Sequence, residues 1–292
     1  MDPNTGVITI KSTAGHFFDR EKYERHHLTV EARDNLGEGN RNTVPLIISI
    51  EDVNDEIPTF LQRKYETRLI ENRRAFETPL ELEARDADVN GTRNSEIFYE
   101  IVEGEFRHNF SLDIKSGVMK LKGSIDFEKL NVPRSQKSSS IRPIYLTVQA
   151  SDNGSPSQAS QVPVVIYVQD ENEFAPKFER YSYEADLMEN LEGGTSNLTV
   201  KAIDFDGSSP NNLIFYRIVD GALDKFVIGS DSGVISIANG ASLDPDLSDP
   251  KRLFYLLKVA ALDGGIGDQQ LSSTCIVNLT IIDVNNKSPV FI

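Results

Sequence analysis

Three stretches of the chain carry oxygen-bearing side chains in one repeated order. They are Asp52-Val53-Asn54-Asp55-Glu56-Ile57-Pro58, Asp170-Glu171-Asn172-Glu173-Phe174-Ala175-Pro176 and Asp283-Val284-Asn285-Asn286-Lys287-Ser288-Pro289. Carboxylates and amides with no His or Cys among them suit a hard cation such as calcium, which gathers roughly six to eight oxygens, rather than zinc. The closing proline stiffens the way out of each stretch.

Other acids keep step with these three. Glu71 recurs as Glu189, and Asp86-Ala87-Asp88 as Asp204-Phe205-Asp206, each at a spacing of 118 residues. Asp126-Phe127-Glu128 recurs as Asp244-Pro245-Asp246 at 118 residues, Asn94 as Asn211 at 117, and Asp152 as Asp263 at 111. One such acid alone reads as a turn carboxylate or a cap. Marks that return in the same order at nearly constant spacing read as a repeated site. No twelve-residue EF-hand loop is present, so that calcium motif is excluded.

The elements that must hold these marks are strands. Each acidic phrase follows an apolar β-type run: Leu46–Ile50, Val164–Val168 and Ile276–Ile282. Alternation in Tyr145–Ala150 and Tyr255–Ala260, with turn signals at Asp152-Asn153-Gly154 and Asp263-Gly264-Gly265, predicts further strands. No stretch shows sustained helical spacing. About seven short strands in a unit near 115 residues point to an all-β chain of tandem Greek-key β-sandwiches of immunoglobulin-like type.

The predicted organisation is a partial repeat over 1–59, carrying its C-terminal half and a linker, then full repeats over 60–176 and 177–292. The opening phrase Asp2–Ile8 is turn-then-strand, so the chain reads as an excerpt of something longer. The half repeat is expected to expose an apolar sheet face and an open edge. The shortened spacing of 111 is explained by residues 131–143, a Ser/Pro-rich polar run expected to be an exposed loop.

Composition agrees. Hydrophobic residues make up 39% of the 292, as packed cores require, and the net charge is -15. That balance opposes nucleic-acid binding, which needs a basic footprint. A single cysteine, Cys275, rules out an intrachain disulfide and sits in an alternating strand as a small hydrophobe. Asn-x-Ser/Thr sequons at Asn90, Asn109, Asn153, Asn197, Asn278 and Asn286 favour an extracellular chain. No apolar run approaches the length of a membrane span.

Taken together, Asp-x-Asn-Asp-x-x-Pro, Asp-Arg-Glu or Asp-Phe-Glu, Asp-Ala-Asp and Ala-x-Asp-x-Gly resemble the extracellular repeats of cadherins over essentially the whole chain. The resemblance implies up to three calcium ions at each complete joint between repeats. At the first joint it implies Asp19 and Glu21, then Asp52, Asn54 and Asp55 with the carbonyls of Val53 and Glu56, then Asp86, Asp88, Asp152 and the carbonyl of Asn94. At the second it implies Glu71, Asp126 and Glu128, then Asp170, Asn172 and Glu173 with the carbonyls of Glu171 and Phe174, then Asp204, Asp206, Asp263 and the carbonyl of Asn211. Glu173 stands where the family usually has Asp, and at the third joint Asn286 and Asp246 replace the usual Asp and Glu. Glu189, Asp244, Asp246, Asp283 and Asn285 belong to that third, incomplete joint.

The implied role is a segment of a calcium-dependent adhesive ectodomain, outside the plasma membrane. Its implied partner is another cadherin ectodomain, of the same or a different kind. The parent is expected to be membrane-anchored and this segment itself soluble. A non-adhesive spacer or receptor segment binding a heterophilic ligand is the alternative. The chain has no Trp, so adhesion by exchange of a Trp-bearing strand cannot reside here. An enzyme is disfavoured. His26 and His27 are adjacent in a strand and point to opposite faces, and no nucleophile elbow or phosphate-cradling loop accompanies His16, His108 or Cys275.

Overall fold

The computed structural model describes residues 1–10, 18–130, 139–189, 195–247, 249–285 and 288. The first part of the chain forms a hairpin of β1 (Arg25–Arg33) and β2 (Arg41–Ser49). The next contains β3 (Thr59–Phe60), β4 (Tyr65–Ile70), β5 (Leu80–Glu81), β6 (Ala84–Arg85), β7 (Phe98–Gly104), β8 (Phe110–Leu112), β9 (Val118–Leu121), β10 (Ile141–Ser151) and β11 (Ala159–Gln169). The last contains β12 (Lys177–Phe178), β13 (Ser182–Met188), β14 (Thr195–Thr199), β15 (Ala202–Ile203), β16 (Phe215–Asp220), β17 (Phe226–Ile228), β18 (Val234–Ile237), β19 (Phe254–Leu262) and β20 (Ser272–Ile282). No α-helix occurs among the described residues.

The strand order repeats itself. One sheet runs β4-β11-β10-β7 and its counterpart β13-β20-β19-β16; facing sets run β5-β9-β8 and β14-β18-β17, with short pairs β3-β6 and β12-β15. Four strands and three make the expected seven-stranded sandwich, twice. In β20 alternate residues Cys275, Val277, Leu279 and Ile281 are buried, which is the period-two pattern of a sheet with one packed face. Cys275 is thus the small core hydrophobe expected, and burial pushes its thiol up to about 11.

By compactness the chain forms two units: Met1–Thr67 with Thr78–Lys122 and Tyr145–Val165, and Arg68–Glu77 with Gly123–Ile144 and Ile166–Ile292. In the first unit Ala84, Tyr99 and Ala150 form a buried cluster backed by Phe60, Ile97 and Leu112. In the second, a larger core includes Tyr183, Leu187, Val200, Tyr216, Phe226 and Val259.

The same aromatic latch appears in both units. Phe60 packs on Tyr65 and Tyr99 with ring centroids 6.2 and 6.1 Å away, and Phe178 packs on Tyr183 and Tyr216 at 6.5 and 6.2 Å. The Tyr99 hydroxyl accepts the Ala84 N–H at 2.8 Å, and the Tyr216 hydroxyl accepts that of Ala202 at 2.9 Å. Tyr65 donates to the Glu83 carbonyl and Tyr183 to that of Lys201, at 2.9 and 3.0 Å. Each latch fixes the strand immediately before Asp86 or Asp204.

Gly117 and Gly233 have φ of +69° and +64°, and a Cβ at either would collide with the carbonyl of Leu82 or Val200. Those two carbonyl-bearing residues donate their own N–H groups to the glycine carbonyls, both at 3.0 Å. Only glycine allows that approach with that backbone.

In the β1–β2 hairpin Leu28 and Val44 are exposed on one face and Ile47 on the other. His26 is half-buried and His27 exposed, in line with opposite faces. One expectation needs correction. The run 131–143 is not all loop, because Ile141–Pro143 belong to β10. Arg142 is the reason: it is buried, stacks 3.9 Å from the centre of the Phe127 ring, and donates to the carbonyls of Phe127 (2.6 Å) and Gly207 (3.1 Å). Residues 131–138 lie outside the described residues, as do His16, Asn190 and Asn286.

Candidate metal centre

Each candidate joint falls within one compact unit. In the second, β4 ends at Ile70 and delivers Glu71, whose side chain is fully buried. Its two oxygens accept the N–H groups of Glu171 and Phe127, both at 2.8 Å. Glu71 therefore ties the phrase 170–176 to the Asp126–Glu128 turn. One oxygen each from Glu71, Glu128 and Asp170 lie within 4.8 Å of one another.

The far side of this joint is built on hydrogen bonds between ligand-type groups. Asp170 accepts from the Ser208 hydroxyl (2.5 Å) and the Asn211 amide (2.9 Å) through one oxygen. The Asn172 amide donates to Asp263 (2.9 Å) and to the Gln269 carbonyl (2.6 Å). Asp206 accepts from the Glu173 and Phe174 N–H groups at 3.2 and 3.3 Å, and its own N–H donates to Asp204 at 2.9 Å.

The first joint repeats the scheme. The Asn54 amide donates to Asp152 (3.1 Å) and the Pro156 carbonyl (2.6 Å), and the Asn94 amide donates to Asp52 at 2.9 Å. Asp88 donates its N–H to Asp86 at 2.9 Å. Oxygens of Glu21, Asp52 and Asp88 again lie within 4.8 Å of one another.

What remains after these bonds decides the chemistry. Buried oxygens with no hydrogen-bond partner are Asn54 Oδ1, Asp86 Oδ2 and both of Asp88 in the first joint; in the second they are both of Glu128, Asp170 Oδ1, Asn172 Oδ1, Asp204 Oδ2 and Asp206 Oδ2. Nearly every such buried group in a folded protein is satisfied, because leaving a polar one bare costs about 1–3 kcal/mol and a charged one more. The atoms left bare at the joints are all oxygens; among the described residues His26 Nε2 and Arg142 Nε are also buried without a partner, and neither stands among these carboxylates and amides as a ligand-type group. The donor set therefore fits a hard divalent cation and excludes a thiolate or imidazole site.

The electrostatics agree. Burial, reinforced by the charges of Glu128 and Glu173 and only partly offset by the two amides it accepts, pushes Glu71 up to about 8. Burial, then the charges of Asp86, Asp52, Asp55 and Glu21, pushes Asp88 up to about 6. Glu128 is raised by burial and by Asp170 and Asp126, against a partial offset from nearby amides. Burial likewise raises Asp86, Glu173, Asp204 and Asp206. Without a cation these groups resist ionisation together.

Not every residue anticipated from the sequence joins a cluster. Asp19 pairs with Lys22 at the surface and is lowered by that contact. For Asp126 burial is outweighed by Lys129, 2.6 Å away, so the carboxyl is lowered. Asp55 and Glu56 are exposed. At the third joint Glu189 accepts the Val284 N–H at 3.1 Å, while Lys251 contacts both Asp246 and Asp283.

Sequence reasoning passed over several contributors. Ser208 is fully buried against Asp170, and Arg142 reaches Gly207 beside the joint. The hydroxyls of Ser160 and Ser273 donate to the carbonyls of Pro58 and Pro176, holding each proline exit. The recurrence of Ser160 as Ser273, 113 residues on, was the available signal.

A family model for the Cadherin domain matches residues 65–169 and 183–282. Human Cadherin-23 is 33% identical over 294 residues, covering 99% of this chain and 8% of that protein. The crystal structure of mouse Cadherin-23 EC22-24 superposes with a TM-score of 0.71 at 26% identity, covering 92% of this chain and 78% of that one. A protocadherin gammaB7 EC3-6 structure, described as a cis-dimer, gives a TM-score of 0.73 at 25% identity over 90% of this chain and 61% of that one.

Proposed function

The chain belongs to the cadherin family, and we propose that it is a segment of an extracellular cadherin rod whose joints are stiffened by calcium for cell–cell adhesion or recognition. Cadherin repeats are adhesion ectodomain modules and not enzymes. The observation that carries the reading is the set of buried, partnerless oxygens on Asp86, Asp88, Glu128, Asp170, Asp204 and Asp206.

Calcium would be held at the second joint by Glu71, Glu128, Asp170, Asn172, Glu173, Asp204, Asp206 and Asp263, with Asp126 and the carbonyls of Glu171, Phe174 and Asn211 completing the set. The first joint would use Glu21, Asp52, Asn54, Asp86, Asp88 and Asp152, with Asp19, Asp55 and the carbonyls of Val53, Glu56 and Asn94. Up to three ions per complete joint are what the likeness to cadherin repeats implies. The ion supplies positive charge and nothing else. The protein's own part is to converge carboxylates from separated segments, so that repulsion loosens the joint without calcium and attraction closes it with calcium. Extracellular modules of this kind bind at about 10⁻⁴–10⁻³ M.

This reading divides the chain into a partial repeat, 1–59, and full repeats, 60–176 and 177–292. It places the segment outside the plasma membrane and the parent in the membrane; among the described residues no helix is long and apolar enough to cross one. The partner would be another cadherin ectodomain, as the gammaB7 cis-dimer illustrates for that protein. The test is a calcium titration of the chain by calorimetry, with the thermal midpoint followed in parallel. Saturable binding with a raised midpoint is expected; no heat and no shift at millimolar calcium would overturn the reading. Sedimentation in calcium then separates adhesion by self-association from a spacer that binds a different ligand.

A further inference from the structure

β19 and β20 pair antiparallel, with Phe254 opposite Thr280 and Leu256 opposite Asn278. Their inward residues, Tyr255 and Leu257 on one strand and Val277, Leu279 and Ile281 on the other, fill the core. Phe254, Leu256, Asn278 and Thr280 therefore share the outer face. Phe254 is 69% and Leu256 61% exposed, an uncovered apolar patch on a central strand. Across β20, Glu184 and Asp186 of β13 stand opposite Asn278 and Thr280, so the other flank is acidic.

Asn278-Leu279-Thr280 is a sequon, and both of its polar residues lie directly across from the two exposed apolar ones. Opposed residues on one face have Cβ atoms about 4.5–5.5 Å apart. The Asn278 amide is half-buried and holds only a long contact, 3.5 Å, to Glu184. The sequons at Asn90 and Asn153 lack this setting. Asn90 lies two residues from Asp88, where a sugar would crowd the proposed metal centre. The Asn153 amide is engaged by Glu96 at 3.1 Å, and its sequon is followed by Pro156. The Asn197 side chain and Asn286 lie outside the described residues.

We propose that Asn278 carries an N-linked glycan whose first sugars lie over Phe254 and Leu256. The inference rests on the extracellular reading, since the modification belongs to the secretory route. In the transfer the side-chain amide nitrogen bonds to C1 of a polyprenyl-pyrophosphate-linked oligosaccharide. The bond from C1 to the pyrophosphate oxygen breaks, the lipid pyrophosphate leaves, and the nitrogen loses one proton; nothing is oxidised or reduced. Sugar rings present an apolar C–H face, which suits the Phe254 ring and the Leu256 methyls, while their hydroxyls face water. Covering the patch removes the kind of surface that otherwise marks an association site.

The test secretes the full chain from animal cells behind a cleavable leader and releases glycans enzymatically in heavy-oxygen water. Asn278 is expected to appear as labelled Asp in most copies, and the label to vanish in Asn278→Gln and Thr280→Val. Both variants should bind a hydrophobic dye several-fold more than the glycosylated chain, and Phe254→Ser with Leu256→Ser should abolish that excess. An unlabelled Asn278 beside a labelled asparagine elsewhere overturns the site, while the calcium reading stands or falls on its own titration. Label without a change in dye binding overturns the cover. An unlabelled Asn278 with a dimer that the Phe254/Leu256 double variant dissolves assigns the face to a second copy and refutes the glycan.

Discussion

Glu128→Gln should stabilise the protein in chelator and destabilise it in calcium. The carboxylate is bare on both oxygens, and one of them lies within 4.8 Å of oxygens on Glu71 and Asp170. Two unit charges at that distance repel by about 3 kcal/mol at an effective dielectric near 20. Glu71, pushed up to about 8, is mostly neutral at pH 7, so the Asp170 pair dominates. Allowing for the partial exposure of Glu128, relief of about 1–2 kcal/mol is expected. For a chain of this size that is a rise of about 2–8 °C in the metal-free midpoint. In calcium at about a hundredfold over the dissociation constant, one site contributes about 2.7 kcal/mol to the wild type, and the amide forfeits most of it. The two melting curves should therefore cross between conditions. The assay is differential scanning calorimetry of both proteins in EDTA and in 10 mM calcium (roughly a hundredfold over the tight end of the extracellular range). A midpoint lowered in EDTA, or a calcium-induced rise equal to wild type, would refute the argument, because a carboxylate that only braces the fold moves both curves the same way.

Glu71→Ala should behave differently, destabilising in both conditions by about 2–5 kcal/mol, since the N–H groups of Phe127 and Glu171 lose their acceptors; urea denaturation with and without EDTA reads this. In chelator the midpoint should fall as pH rises from 5 to 8.5. Glu71 and Asp88 have folded values raised to about 8 and about 6, so their contribution is full below their unfolded values near 4 and is lost through that range. In calcium the fall should flatten, because the ion favours the ionised ligands; equal slopes in both buffers would contradict this. Tyr216→Phe should cost about 1–3 kcal/mol in either buffer by orphaning the Ala202 N–H, and an unchanged urea midpoint would remove the latch from the account.

Much of the fold was legible because alternation and turn residues are local properties. Strands β4, β10 and β20 bury every second residue, the pattern a sequence shows directly, while β11 and β19 bury three residues in a row at Val164–Ile166 and Val259–Ala261. The acids were legible for another reason: a site made twice leaves two copies at one spacing, and recurrence separates it from scattered surface charge. Recurrence alone does not say what each residue does. Asn94 and Asn211 were singled out for their carbonyls, yet their side-chain amides brace Asp52 and Asp170. Ser208 has no counterpart in the first joint, so nothing in a self-comparison marks it. Arg142 sat in a polar run whose composition suggested exposure. It is buried because Phe127 offers a ring face and two carbonyls lie within reach, a setting assembled from residues 15 and 65 positions away.

The braced amides of Asn54 and Asn172 bear on how the protein ages. Each donates to a carboxylate, Asp152 or Asp263, at about hydrogen-bond distance. Spontaneous hydrolysis of either amide would set two anions face to face where a donor met an acceptor, and one uncorrected event would wedge the joint. The local chemistry slows that lesion. Both amide nitrogens are held by two acceptors, and the following residues, Asp55 and Glu173, carry side chains that hinder backbone attack, as a glycine would not. Asn90, Asn153 and Asn239, each followed by glycine, are the sites where wear should collect first in a long-lived copy, leaving the two braced asparagines as the slow clock of the molecule.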